Sequence, residues 1–317
     1  MAKKKIKTIV SMPDNIKILY VKILGIQALA DRKYEPQEVS DLYLLMTQLD
    51  LNASARREVR ELLESSDKEL LPLLDEIVSE LDGEDRDIVA FSVVKDLIRI
   101  ALVDGEYSGE ERKNVENAAA QYFGPEADEK IELAEEVAKG EDDFIRGKYT
   151  SIDQLKEHGK KLAAGATAIG VPIAAVYFSG TVGLSAVGIT SGLGALGLGG
   201  IGAIGLSSMT AGIGAVVLIG VGTYAVVHYG LDLPKLSKKK KREFLIQELL
   251  KLHQRAIASL VEDVNEMASR QEKLASQSDT NKSMLEKLKS EMGILKSAID
   301  DLKVREKEIC SVETMIT

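Results

Sequence analysis

The chain has 317 residues, 50 acidic against 41 basic, a net charge of −9, one cysteine and no tryptophan. Two or three structural units fit in that length. The acidic balance, with no broadly basic folded region, argues against a nucleic-acid surface. The single Cys310 excludes an intrachain disulfide and suits a reducing compartment, and aromatic residues at 4% fit helices better than a β-sandwich.

Residues 1–14 form a basic tail, Met1-Ala2-Lys3-Lys4-Lys5-Ile6-Lys7, without the apolar core of a secretory signal. Residues 15–147 then read as a helical domain. Apolar residues recur at helical spacing over Ile16–Leu29, Val39–Leu51, Arg56–Leu63, Leu70–Leu81, Ile88–Leu102, Asn114–Phe123 and Ala127–Ala138. Turn signals at Glu35-Pro36, Asp82-Gly83, Asp104-Gly105 and Gly124-Pro125 separate them. No period-two run is long enough to argue a sheet.

The domain repeats itself at an offset of 73 residues: Ala28-Leu29-Ala30-Asp31-Arg32-Lys33-Tyr34 aligns with Ala101-Leu102-Val103-Asp104-Gly105-Glu106-Tyr107, and Glu38 with Glu111. In each copy an apolar helix ends at an Asp, a short turn follows, and a Glu opens the next helix. Acidic residues in a first helical turn complement the helix dipole, and Ser108 with Glu111 has the spacing of a capping box. The same carboxylates could instead form a shallow oxygen-ligand site for Ca²⁺ or Mg²⁺. The spacing is not that of an EF-hand.

The run Ile100-Ala101-Leu102-Val103-Asp104-Gly105-Glu106-Tyr107-Ser108-Gly109-Glu110-Glu111 resembles the signature of TerB-like domains, named for tellurite resistance and related to the membrane-proximal domain of DjlA-type co-chaperones. The resemblance covers roughly residues 15–147. It implies an all-helical fold of two pseudo-symmetric halves and a divalent-metal site at Asp104, Glu106 and Glu111. Asp31 and Glu38 follow more weakly, because Arg32-Lys33 replaces Gly-Glu in the first copy. It also implies a role in stress responses, membrane-linked complexes or phage defence, mostly without catalysis.

A basic linker, 148–161, with Lys148, Lys156, Lys160 and Lys161, leads into residues 162–231, which hold no Lys, Arg, Asp or Glu and 17 of the 26 glycines. A helical crossing of a ~30 Å hydrocarbon core takes roughly 20 apolar residues. Candidate spans are Thr167–Ile189, with Pro172, and Ile204–Tyr229, parted by the Gly-rich run Ser191–Gly200. Gly188/Gly192 and Ser207/Ala211/Ala215 set small residues four apart, a spacing that lets helices approach closely in lipid. The polybasic segment 232–242, with Lys238, Lys239, Lys240, Lys241 and Arg242, suits anionic lipid. With both flanks positive, the reading is a two-helix transmembrane hairpin with both termini cytoplasmic, in a bacterial inner membrane. Two other arrangements compete: insertion on a trigger, and a buried soluble hairpin.

Residues 243–317 carry heptads. Steps of four and three from Ile246 to Ile309 pass through 19 positions, 14 of them apolar. His253, Gln271, Ser278, Asn281 and Glu306 interrupt the seam. The expectation is a coiled-coil rod or bundle that makes a homo-oligomer. An intrachain hairpin turning at Gln277-Ser278-Asp279-Thr280-Asn281 competes with it.

No P-loop, Gly-x-Ser-x-Gly elbow or His-Glu-x-x-His motif is present, and His158, His228 and His253 are scattered. The sequence therefore predicts an all-α, non-enzymatic membrane adaptor or sensor. Its head would bind a protein partner or a divalent cation, and it would have no nucleic-acid partner and no certain cofactor. A membrane-permeabilising effector, whose Gly-rich hairpin inserts on activation, is the main alternative. A metal-dependent hydrolase using Asp104 and Glu106 is the weaker one.

Overall fold

The computed structural model describes residues 12–30, 36–65, 69–101, 109–145, 161–162, 164–166, 168–170, 213, 217, 238–275 and 282–316. They form helices α1 (Asp14–Ala28), α2 (Pro36–Gln48), α3 (Ala53–Leu63), α4 (Leu70–Ser79), α5 (Gly83–Ala101), α6 (Gly109–Phe123), α7 (Ala127–Ile145), α8 (Lys238–Ala275) and α9 (Lys282–Ile316). No strand occurs among the described residues. A 3₁₀ turn, Gly124–Glu126, joins α6 to α7, with Gly124 at φ +55° where a side chain would be strained.

α1 and α5 lie at the centre of the head. Tyr20, Val21, Ile23 and Leu24 of α1, and Phe91, Val93, Val94, Leu97 and Ile98 of α5, are fully buried. Apolar residues on every side of a helix are what burial between several neighbours requires. α1 accordingly touches α2, α3, α4 and α5. Each buried Leu, Ile, Val or Phe contributes about 1.5–3 kcal/mol of transfer free energy. Gly25 sets the α1–α3 separation: a Cβ there would lie 2.8 Å from Leu63 Cδ1 and 3.4 Å from Leu42 Cδ2. α3 opens on a side-chain cap, the Ala55 amide donating to Asn52 Oδ1 at 3.0 Å.

The internal repeat appears at the helix ends. α5 stops at Ala101 as α1 stops at Ala28, and α6 starts at Gly109 as α2 starts at Pro36, both at the offset of 73 residues. α6 and α7 pack on α5 much as α2 and α3 pack on α1, with α4 interposed.

One expectation is corrected. The C-terminal segment is not a free rod: α8 and α9 pack lengthwise against each other and on α2 and α3. They run antiparallel, Gln254 Nε2 of α8 donating to Glu306 Oε1 of α9 at 3.0 Å. The seam residues Ile246, Leu260, Met267, Leu288, Leu295, Leu302 and Ile309 are buried in this hairpin. Closing a six-residue connection costs little chain entropy, whereas a second chain would have to give up translational and rotational freedom. The interrupting seam residue His253 is buried within the hairpin, its Nδ1–H donating to the Leu249 carbonyl at 2.8 Å.

No described helix is long and apolar enough to cross a membrane. The proposed spans lie almost wholly outside the described residues. The few described residues within and beside them rest on the head. A Cβ at Gly165 would lie 3.6 Å from Leu133 Cδ1 on α7, Leu162 and Ala166 are buried, and Lys130 Nζ donates to the Ile169 carbonyl. On the other side Ile213 and Val217 are buried, and Gln48 Nε2 of α2 donates to the Val217 carbonyl at 3.1 Å.

Candidate functional site

Of the acidic residues proposed for metal, Asp31, Asp104 and Glu106 lie outside the described residues. Glu38 is half-buried in the first turn of α2, and Glu111 is 9% exposed in the first turn of α6. The two occupy equivalent places in the repeat, where a carboxylate complements the helix dipole. Gln27 of α1, which periodicity alone did not single out, ties α1 to α5 and to the first turns of α6. Its buried amide donates to the Leu97 and Glu111 carbonyls, both at 3.3 Å, and accepts from Asn114 Nδ2 at 3.0 Å. Among the described residues no group of three or more His, Cys, Asp or Glu side chains is disposed to hold a metal. The packing residues Gly188, Gly192, Ser207, Ala211 and Ala215 are outside the described residues. Lys238, Lys239, Lys240, Lys241 and Arg242 form the first turns of α8, with Lys240 exposed.

The most elaborate polar arrangement is one the sequence did not expose, a buried ionic hub where the C-terminal hairpin meets the head. Asp263 of α8 is fully buried. It accepts hydrogen bonds from Tyr43 Oη at 2.7 Å, Arg56 Nε at 3.1 Å, Arg56 Nη2 at 2.7 Å, and Arg60 Nη1. Arg56 reaches on to Glu262 at 2.7 Å and the Leu51 carbonyl at 3.1 Å. Arg60 reaches Tyr43 Oη at 2.8 Å and Glu291 of α9 at 3.3 Å. α2 supplies the phenol and α3 both guanidinium groups, since residues 56 and 60 share one helix face. Burial works against the charge on both arginines. For Arg56 the bonds to and charge of Asp263 more than offset it, and for Arg60 the neighbouring Tyr43, Asp263 and Glu291 do, so both stay above the ordinary arginine value.

Further ion pairs extend the contact along the hairpin. Arg57 pairs with Glu266 at 2.7 Å, Arg255 with Asp50 at 2.7 Å, and Arg305 with Asp41 at 2.6 Å. Burial pushes Asp41 up to about 6, against the pull of Arg305. Near the closed end of the hairpin is a cavity of about 180 Å³ whose walls include Arg60, Glu64, Met267, Lys287 and Glu291. Burial, reinforced by the adjacent Glu291 carboxylate, pushes Glu64 up to about 7, with Lys287 at 3.8 Å opposing.

A second buried polar cluster lies inside the head. Tyr20 of α1 donates to Asp96 of α5, and Lys95 Nζ sits 3.2 Å from Asp96 Oδ1. Burial, opposed by Asp96, brings Lys95 down to about 7.

Chemically these groups clamp. Asp263 accepts from Tyr43 and from both arginines, and each arginine reaches further acceptors, so the hub holds two bodies together by charge-assisted hydrogen bonds. The available sequence signal was Arg56 and Arg60 one turn apart on α3. Their acid lies more than 200 residues away on a helix whose heptads drew attention to its seam.

Residues 20–133, from within α1 into α7, match the family model described as Tellurite resistance protein TerB. No curated protein and no solved structure matches the chain. The helical head over residues 20–133 is a TerB-like domain.

Proposed function

We propose that the chain is a membrane-associated adaptor without catalysis, in which a TerB-like head couples a glycine-rich apolar segment to a docked C-terminal helical hairpin, in a stress-response or defence setting. The observation that carries the reading is the buried hub of Asp263, Arg56, Arg60 and Tyr43. Such a hub fixes one docking geometry more than it adds stability, which is what a signal-passing contact needs. The 70 uncharged residues at 162–231, bordered by lysines, support the membrane side. So does the start of α8. Five consecutive cations oppose the dipole at a helix N-terminus, each by ~0.3–1 kcal/mol, and an anionic lipid surface offsets that cost. Divalent cation at the acidic turns remains part of the proposal, with Glu38 and Glu111 as its described members.

A second reading has its own support. Val217 is held by Gln48, and Leu162, Ala166 and Ile213 are buried, as in a stored apolar segment awaiting release. On that reading the protein is a membrane-permeabilising effector. Carbonate extraction of membranes from expressing cells, with membrane potential followed in parallel, separates the two. Carbonate-resistant protein with normal potential is the adaptor's result, and resistant protein with collapsed potential is the effector's. Protein that stays in the soluble fraction in resting and stressed cells alike refutes both.

A further inference from the structure

The cavity where α3 meets α8 and α9 holds a mismatch of donors and acceptors. Glu64 Oε1 is buried there and meets no donor among the described residues. The neighbouring Glu291 carboxylate is another acceptor, and it already receives Arg60 Nε at 3.3 Å. Lys287 stands 3.8 Å from Glu64, too far for a hydrogen bond, and its side chain is 66% exposed. Arg270 is likewise 3.9 Å from Glu61 and about half exposed. Water satisfies exposed cations of this kind, whereas a buried carboxyl oxygen takes its partner from within the cavity. Arg57 and Arg60, on the same wall, are committed to Glu266 and Asp263. The groups left short of a partner are therefore acceptors. Much of the remaining wall is apolar: Met267 and Leu288 are buried, Leu274 is half-buried, and Met284 is exposed beside them.

We propose that this cavity binds a primary alkylammonium ion, its –NH₃⁺ donating to Glu64 and Glu291 and its chain lying on Met267, Leu274, Met284 and Leu288. An ammonium carries three donors and no acceptor, which matches two adjacent carboxylates. Methionine side chains are unbranched and adapt to an alkyl chain of no fixed shape. An apolar cavity of ~150 Å³ holds a six-carbon ring, so 180 Å³ takes a chain of about four to six carbons with its head group. A hard divalent cation fits less well. It takes about six or more oxygen ligands, and among the described residues no group of three or more His, Cys, Asp or Glu is disposed to hold one. Without the ligand a proton serves the same place: burial, and then the Glu291 carboxylate, hold Glu64 at about 7. The ligand thus displaces a proton. Because α3, α8 and α9 each supply part of the wall, it binds the docked hairpin and strengthens docking. The inference goes beyond the adaptor reading and does not depend on the membrane reading.

The test titrates the full-length chain in mild detergent with n-butylammonium and n-hexylammonium chloride. Potassium, tetramethylammonium and magnesium chloride at equal ionic strength are the comparisons. Calorimetry should show a single saturable site for the alkylammonium ions alone. Their affinity should fall roughly tenfold between about pH 8 and about pH 6, with a proton released on binding at the lower pH. At about ten times Kd, α9 amides should exchange roughly tenfold more slowly while α5 amides are unchanged. Glu64→Gln keeps the shape of the protonated acid and should weaken binding at least about tenfold, abolishing its pH dependence. Lys287→Met removes a competing cation and should tighten binding several-fold, a gain that damage to the fold does not produce. The inference is overturned by no saturable binding of either amine at about 10 mM. It is equally overturned by a matching response to tetramethylammonium, by magnesium binding in the amine's place, or by unchanged affinity in Glu64→Gln.

Discussion

Asp263→Asn tests the docking hub directly. The substitution keeps the volume and removes the charge that two buried guanidinium groups share. Arg56 retains Glu262 and the Leu51 carbonyl, and Arg60 retains Glu291 and Tyr43 Oη, so neither is left entirely bare. Removing one partner from a buried ionic group typically costs ~3–5 kcal/mol, and the surviving acceptors put this case near the lower end, at about 3 kcal/mol. At 1.4 kcal/mol per tenfold, the docked fraction should fall by roughly a hundredfold. Hydrogen exchange reads this on the α8 and α9 amides, which should exchange faster by about that factor while α5 amides keep their protection. A cycle with Arg60→Met isolates the coupling, because Asp263→Asn should cost much less once Arg60 is gone. A loss below about 1 kcal/mol, or an equal loss in both backgrounds, would mean that the seam leucines dock the hairpin and the hub is incidental.

Other consequences are simpler. Gly25→Val forces a branched side chain into the 2.8 Å approach to Leu63 and should cost ~1–3 kcal/mol in urea unfolding; an unchanged midpoint would mean α3 can move away freely. Asn52→Ala removes the α3 cap and should cost about 1 kcal/mol, with Asn52→Asp restoring most of it. Glu64, lifted from 4.5 to about 7, and Asp41, lifted from 3.8 to about 6, both keep their protons in the docked state between those values, so docking weakens as pH rises through these windows. The Glu64→Gln variant should lose the part of that slope between about 6 and 7 in hydrogen exchange of α9 and keep the part below about 6 that Asp41 supplies; an unchanged slope between 6 and 7 would refute the assignment to Glu64. Lys95 acts with the opposite sign: unfolded chains hold its proton up to the ordinary lysine value of 10.5, so head stability should rise between about 7 and there, a rise that Lys95→Met should abolish in thermal unfolding.

The head was legible because its signals are local. Apolar periodicity placed all seven helices of residues 14–145. The repeat was read from seven residues at a turn, and the helix ends at Ala28 and Ala101 reproduce it. What was not legible is what depends on distant partners. Gly25 reads as a weak point in a helix until Leu63 is brought against it. Gln27 reads as one more polar residue at a helix end until α5 and α6 surround it. The seam from Ile246 to Ile309 identified most of the apolar residues that the hairpin buries, with Leu250, Ile257, Leu274 and Leu285 half-buried, but a seam alone does not say whether α9 in cis or a second chain covers it. The decision between them lies in loop closure and in α2.

The same distinction governs how the hairpin recognises its place. Leucines of a heptad seam pack acceptably in several registers, and a shift of one heptad conserves nearly all of their buried area. Asp263 does not tolerate that shift. Moving α8 by seven residues would carry the carboxylate about 10 Å from Arg56 and Arg60 and put Ala256 or Arg270 in its place, so neither guanidinium would meet a matching charge on α8. The hub therefore adds little to the depth of the docked state and much to the gap between it and its neighbours. That gap allows a long, regular helix to dock in one register on a small helical head.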